Sequence, residues 1–174
     1  MAQHRPGEAA VERIREGLAA ARASGSRFHE PMFLGLLAEA LGLAGEIEKG
    51  LEVIAEALTS AKNSGARGND AELHRLRSTL LGRLPSPDRT EMEAAYRLAL
   101  AVARRQGTRG FELRAAVSLA RLLGAQGRRN EARDLLAPVC GCFTEGLDTP
   151  DLKDAKTLLA GLCDPALAAN SAVS

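Results

Sequence analysis

Apolar residues recur along this chain with the spacing of one helix face. Aligned on Gly25, Gly65 and Gly107, the sequence puts Ile14, Ile54 and Tyr96 at one position and Leu18, Leu58 and Leu100 at another. Small residues fill two further columns, Gly17 with Ala57 and Ala99, and Ala21 with Ala61 and Ala103. The four columns fall at i, i+3, i+4 and i+7, which is one face of an amphipathic helix. After each reference glycine come an arginine (Arg27, Arg67, Arg109), an acid (Glu30, Asp70, Glu112) and a Leu-Gly pair (Leu41-Gly42, Leu81-Gly82, Leu123-Gly124). The repeats are offset by 40 and then 42 residues, and "PSPD" at 85–88 supplies the extra length.

These signals predict helices at about 8–24, 29–43, 46–64, 69–83, 88–106, 110–125, 128–143 and 149–162. About eight antiparallel helices in alternating pairs, with no strand-like alternation, predict an all-α solenoid of 40–42 residue period. The expected organisation is one domain over 8–162 between flexible ends at 1–7 and 163–174. Pro138 is expected to kink or end the seventh helix near Ala137, because it lacks the amide donor. Each pair would bury one stripe on its partner and another on the next pair, with the Gly and Ala columns permitting close approach.

The stretch "GAQGRRNEARDLL" at 124–136 could be a glycine-rich anion cradle at a helix start. Its counterpart "GLAGEIEKGLEVI" at 42–54 keeps both glycines but replaces the two arginines with Glu46 and Ile47. A phosphate site would not survive that exchange, so the glycines are read as helix stops, where a positive φ suits a residue without a side chain.

Composition narrows the function classes. A net charge of +1 gives no global field toward nucleic acid or anionic lipid, and 3% aromatics leave little for base stacking. Neither nucleic-acid nor membrane partners are expected. No run approaches a membrane span and "MAQHRPGEAAVERIREG" lacks a signal-peptide apolar core, so a cytoplasmic location is expected. Cys140, Cys142 and Cys163 form no disulfide framework and lie far in sequence from His4, His29 and His74. They are read as small packing residues, with no metal or other cofactor.

No Walker loop, H-E-x-x-H, G-x-S-x-G or paired C-x-x-C occurs, and no catalytic residues are assigned. The repeated arginine and acid are read as residues of the helix start, the acid favoured by the N-terminal dipole. Solenoids keep their packing columns and vary their binding surface. Seven and fourteen residues after each reference glycine lie Met32 and Glu39, Glu72 and Thr79, and Arg114 and Arg121, on helices expected to line the inner curve. Glu72, Arg75, Arg114, Ser118 and Arg121 are the candidate partner-binding residues, in a groove suited to an acidic peptide or protein. Two rival expectations remain: a homodimer through the C-terminal helices, signalled by exposed apolar residues from Val139 to Phe143 and at Leu147, and a small-ligand sensor, signalled by an enclosed polar pocket.

Residues 99–159 carry "ELRAA", "SLARL", "EARDLLAPV", "FTEG" with "DT", and "DLK" with "AK", preceded by "NDAELHRLRSTLL" at 69–81. This stretch resembles the C-terminal tetratricopeptide-like (TPR-like) region of large bacterial regulators. Those proteins place an adenylate or guanylate cyclase-type or a DNA-binding domain before an AAA-type ATPase. The likeness extends loosely over 28–162 and well over 69–160. It implies a right-handed TPR-like solenoid and a non-enzymatic interaction or scaffold role in signalling. Cys140 and Cys142 stand where the family usually has aromatics. The chain opens at Met1 with no cyclase or ATPase module, so the implied role is that of the scaffold alone, as a fragment or free-standing relative.

Overall fold

The structure, a computed structural model, describes residues 6–25, 27–144 and 148–164, with side chains from 9 onward. Among the described residues the regular structure is helical: α1 (Pro6–Ala23), α2 (Glu30–Leu43), α3 (Ile47–Ser64), α4 (Asp70–Leu81), α5 (Arg89–Gln106), α6 (Arg109–Ala125), α7 (Arg129–Gly141) and α8 (Pro150–Cys163), with one 3-10 turn at Arg67–Asn69. Every predicted helix is present with its ends within two residues. The two expected flexible ends fall largely outside the described residues.

Local chemistry explains the boundaries. Gly25, Gly65 and Gly107, the reference column, follow the ends of α1, α3 and α5 at φ of 75°, 73° and 67°. A side chain there would cost about 1–2 kcal/mol. Gly127 takes φ 79° after α6, and Arg128 then pairs with Glu131, so the 124–136 stretch is a turn between two helices.

Gly42, Gly82 and Gly124 behave differently from the stops expected of them, and none has a positive φ. A Cβ on Gly42 would lie 2.5 Å from Leu80 Cδ2, and one on Gly50 would lie 3.1 Å from Leu80 Cδ1. Leu80 of α4 is therefore a knob seated in a socket floored by glycines of α2 and α3. Gly82 makes similar room for Met92 Cε, 2.6 Å from its would-be Cβ. At Gly42 and Gly82 a neighbouring side chain comes too close for a Cβ, whereas Gly124 would meet only an ordinary contact with Leu162 at 3.5 Å.

By contact density the chain divides into two compact units, Met1–Ala99 and Leu100–Ser174, the division falling within α5. In the first, α2 packs on α1, α3 and α4, and α3 packs on α4. Leu34, Leu41, Ile54 and Leu73 are buried almost completely there. In the second, α6, α7 and α8 pack pairwise on one another around Leu119, Leu123, Leu136 and Leu152, with Ala115, Ala116, Ala120, Ala132 and Ala155 keeping the helices close. Each fully buried leucine contributes about 1.5–3 kcal/mol of apolar transfer.

Two local expectations need correction. α7 does not end at Ala137; it continues through Pro138 to Gly141. Pro138 withdraws only the amide that would reach Asp134, and both residues are exposed, so water can replace that bond. Of the cysteines read as packing residues, Cys140 is buried, whereas Cys142 and Cys163 are exposed at the ends of α7 and α8.

Candidate protein interface

The arginine and acid columns do more than start helices. Glu30, Asp70 and Glu112 are all buried in the first turns of α2, α4 and α6. Arg22 Nε donates to Glu30 Oε1 at 2.7 Å and Ser60 Oγ to Oε2 at 3.1 Å. The Arg22 hydrogen bond holds the Glu30 carboxyl below the usual range, against the opposing pull of burial. Arg67 Nε donates to Asp70 Oδ2 at 2.7 Å. Glu112 accepts from Arg104 Nε at 2.9 Å and from Arg109 Nη1 at 3.0 Å. A buried carboxylate without such partners would cost several kcal/mol, so these arginines are structural counter-ions.

A groove of about 620 Å³ adjoins the first of these pairs, lined by Arg22, Arg27, Glu30, Glu56, Ser60 and Asn63 among others. Arg22, Arg27, Glu56 and Asn63 are exposed, and Arg22 bridges Glu30 to Glu56. It is a solvated surface cleft rather than the enclosed pocket that a ligand sensor requires. Of the stretch whose exposure would signal a C-terminal dimer, Val139 and Cys140 are buried, Phe143 is half-buried and Gly141 and Cys142 are exposed, while Leu147 lies outside the described residues.

The five candidate partner-binding residues fall in two groups, one in each unit. On α4, Arg75 grips both oxygens of Glu72, at 2.9 and 2.8 Å. Burial works against the Arg75 charge, but Glu72 and the nearby Glu39 and Tyr96 outweigh it and the guanidinium is shifted upward. Thr79 Oγ1 and the Tyr96 hydroxyl, 3.1 Å apart, extend this polar cluster. On α6, Ser118 Oγ donates to the Arg114 carbonyl at 2.9 Å. Arg114 faces Asp151 at 3.6 Å, and Arg121 Nη2 donates to Asp154 Oδ1 at 2.5 Å. The basic character anticipated along α6 is thus balanced by aspartates of α8, which no short-range pattern in the sequence foretells.

The feature that the sequence reading missed is on α2. Its exposed positions are Met32, Leu36, Glu39 and Leu43, so three of the four are large apolar residues. Phe28, in the turn before the helix, is 67% exposed and meets His29 edge-on, with ring centroids 5.4 Å apart. In the other helices the exposed described residues are charged, polar, small or proline, apart from Leu98 of α5. Phe28, Met32, Leu36 and Leu43 together expose roughly 400 Å² of mostly apolar surface, a size often functional on a monomer. The warning was present in "EPMFLGLLAEALGL", which is apolar nearly all round and so holds more hydrophobic residues than one buried stripe can use. Met32 and Glu39 had been placed on a varying face by the repeat; Phe28, Leu36 and Leu43 had not.

Among the described residues no helix is long and apolar enough to cross a membrane, and no three His, Cys, Asp or Glu side chains are grouped to hold a metal ion. No family model matches the chain. It is similar to an uncharacterized protein of Rhizobium meliloti (strain 1021), at 36% identity over 121 residues. That alignment covers 68% of this chain but only 12% of the other protein, so the chain spans a small part of the relative's length.

Proposed function

We propose that this chain is a non-enzymatic, TPR-like interaction module that holds a protein partner against the exposed face of α2 and the adjoining polar cluster of α4. The observation that carries the reading is the uncovered row Met32, Leu36 and Leu43 with Phe28 beside it, on a helix whose other sides are buried. Leaving such a row in water forgoes burial worth about 25 cal/mol per Å², which a partner would recover. The three-fold repeat and the helical architecture support a right-handed TPR-like solenoid of the kind found in cyclase- and ATPase-bearing regulators. The chain's likeness is to a short segment of a much longer protein, the proportion a module of a larger chain would have.

The test is site-specific photocrosslinking in cells of the native host. A photoreactive phenylalanine analogue replaces Leu36 in one variant and Ala101, an exposed residue of α5, in another. The expected result is one discrete protein adduct at position 36 that is missing at position 101. Equal, diffuse labelling at both sites would overturn the reading.

A further inference from the structure

The cleft beside Arg22 is polar where the repeat elsewhere supplies mostly small or apolar residues. Glu56, Thr59, Ser60 and Asn63 line it from α3 at i, i+3, i+4 and i+7, a single stripe of the helix. The same columns hold Glu16, Ala19, Ala20 and Ala23 in α1, and Leu98, Ala101, Val102 and Arg105 in α5. Two hydroxyls and a carboxamide therefore stand together only in α3, although helix interiors do not favour such residues. A repeat protein varies the surface it uses and keeps the columns that pack, and this stripe is of the varied kind.

The charges around the cleft are rearranged as well. Arg67 and Arg109 bond directly to the acid three residues on, Asp70 and Glu112, at 2.7 and 3.0 Å. Arg27, their counterpart, does not, because Glu30 takes Arg22 Nε on one oxygen and Ser60 Oγ on the other. Arg27 is left exposed on the lining of the cleft, without a hydrogen-bond partner among the described residues. Arg22 in turn donates to both Glu30 and Glu56, at 2.7 and 2.5 Å, so one guanidinium serves two carboxylates. The cleft thus offers a cation with its donors open at Arg27, and at Glu56 a carboxylate whose Oε2 accepts no bond among the described residues.

We propose that this cleft binds a small zwitterion, an amino acid or dipeptide with both charged ends free. Its carboxylate pairs with the Arg27 guanidinium and the Asn63 amide, and its ammonium pairs with Glu56. An anion alone would meet Glu56 and an amine alone would meet Arg27, whereas a molecule bearing both charges satisfies both groups at once. At about 620 Å³ the cleft is too open to enclose a ligand, so charge and hydrogen bonds rather than shape supply its selectivity. Exposed ion pairs are individually weak, and the expected affinity is millimolar. The site shares no residue with the exposed row of α2 and does not depend on it.

The test follows the backbone amide resonances of the isotope-labelled full chain during titration with alanine and with dialanine. N-acetyl-dialanine, which lacks the ammonium, and dialaninamide, which lacks the carboxylate, are the matched controls. Saturable shifts at residues 27–30 and 56–63 are expected with at least one zwitterion below about 10 mM, and both controls should bind at least about tenfold more weakly. Arg27→Gln and Glu56→Gln should each weaken zwitterion binding by about tenfold, and Glu56→Gln should at the same time improve binding of N-acetyl-dialanine by removing a like charge. Thr59→Ala with Asn63→Ala, which restores the residues found in α1, should weaken binding with unchanged circular dichroism. Absence of a saturable shift with either zwitterion, equal affinity for the controls, or undiminished binding by Arg27→Gln would overturn the assignment.

Discussion

Leu80 and its glycine socket give the sharpest test of how the first unit is packed. In the wild type, Gly42→Ala puts a methyl 2.5 Å from Leu80 Cδ2, and Leu80, almost completely buried, has little room to retreat. Overpacking of this kind costs about 1–3 kcal/mol, whereas replacing glycine by alanine inside a helix gains close to 1 kcal/mol. The net effect should be a loss of up to about 2 kcal/mol. Leu80→Ala alone should cost about 2–5 kcal/mol through its cavity. In that background the same Gly42→Ala change should become stabilising, because the propensity gain is kept and the new methyl enters vacated space worth roughly 0.8 kcal/mol. Urea unfolding of the four chains, followed by far-ultraviolet circular dichroism, measures the coupling. Gly124→Ala serves as a control, since its Cβ would sit 3.5 Å from Leu162, an ordinary contact, and it should gain about 1 kcal/mol. If Gly42→Ala shifts stability equally in both backgrounds, within the ~0.5 kcal/mol of normal additivity, the socket is not what holds α4 against α2.

Three further outcomes are expected. Glu112→Gln should destabilise the second unit by about 1.5–3 kcal/mol, because two charge-assisted bonds to a buried carboxylate are weakened, whereas Arg109→Ala should cost less than about 1 kcal/mol because Arg104 remains; chemical denaturation distinguishes them, and equal losses would contradict the counter-ion assignment. Burial lowers the His74 pKa despite the opposing pull of Asp70, with Arg77 and Arg67 adding to the lowering. The neutral form is therefore favoured by folding: stability is fully present above the ordinary value of 6.5 and declines as pH falls below it toward the depressed value, and His74→Gln should flatten that part of the pH profile. Arg121→Glu should loosen α8 by up to about 1 kcal/mol at low salt, and adding Asp154→Arg should restore it; a double variant no better than the single one in hydrogen exchange of α8 would remove that pair from the packing.

What could be read along the chain was whatever a few neighbouring residues decide. Helix periods, the positive-φ glycines at 25, 65, 107 and 127, and the breaks at "PSPD" depend on local backbone preference, and they place the ends of α1 to α8 closely. The repeat also marked Met32 and Glu39 as belonging to a face that varies. Other assignments required knowing what lies opposite. Gly42 looks like a stop until Leu80 is seen filling the space above it, and Arg114 and Arg121 look like a basic surface until Asp151 and Asp154 arrive from α8. Likewise, Leu36 and Leu43 resemble core residues until the packing of α1, α3 and α4 leaves their side of α2 uncovered. Helix formation is governed by torsions and contacts within about one turn, but burial and ion pairing are properties of two surfaces, and the second surface of each comes from a different helix.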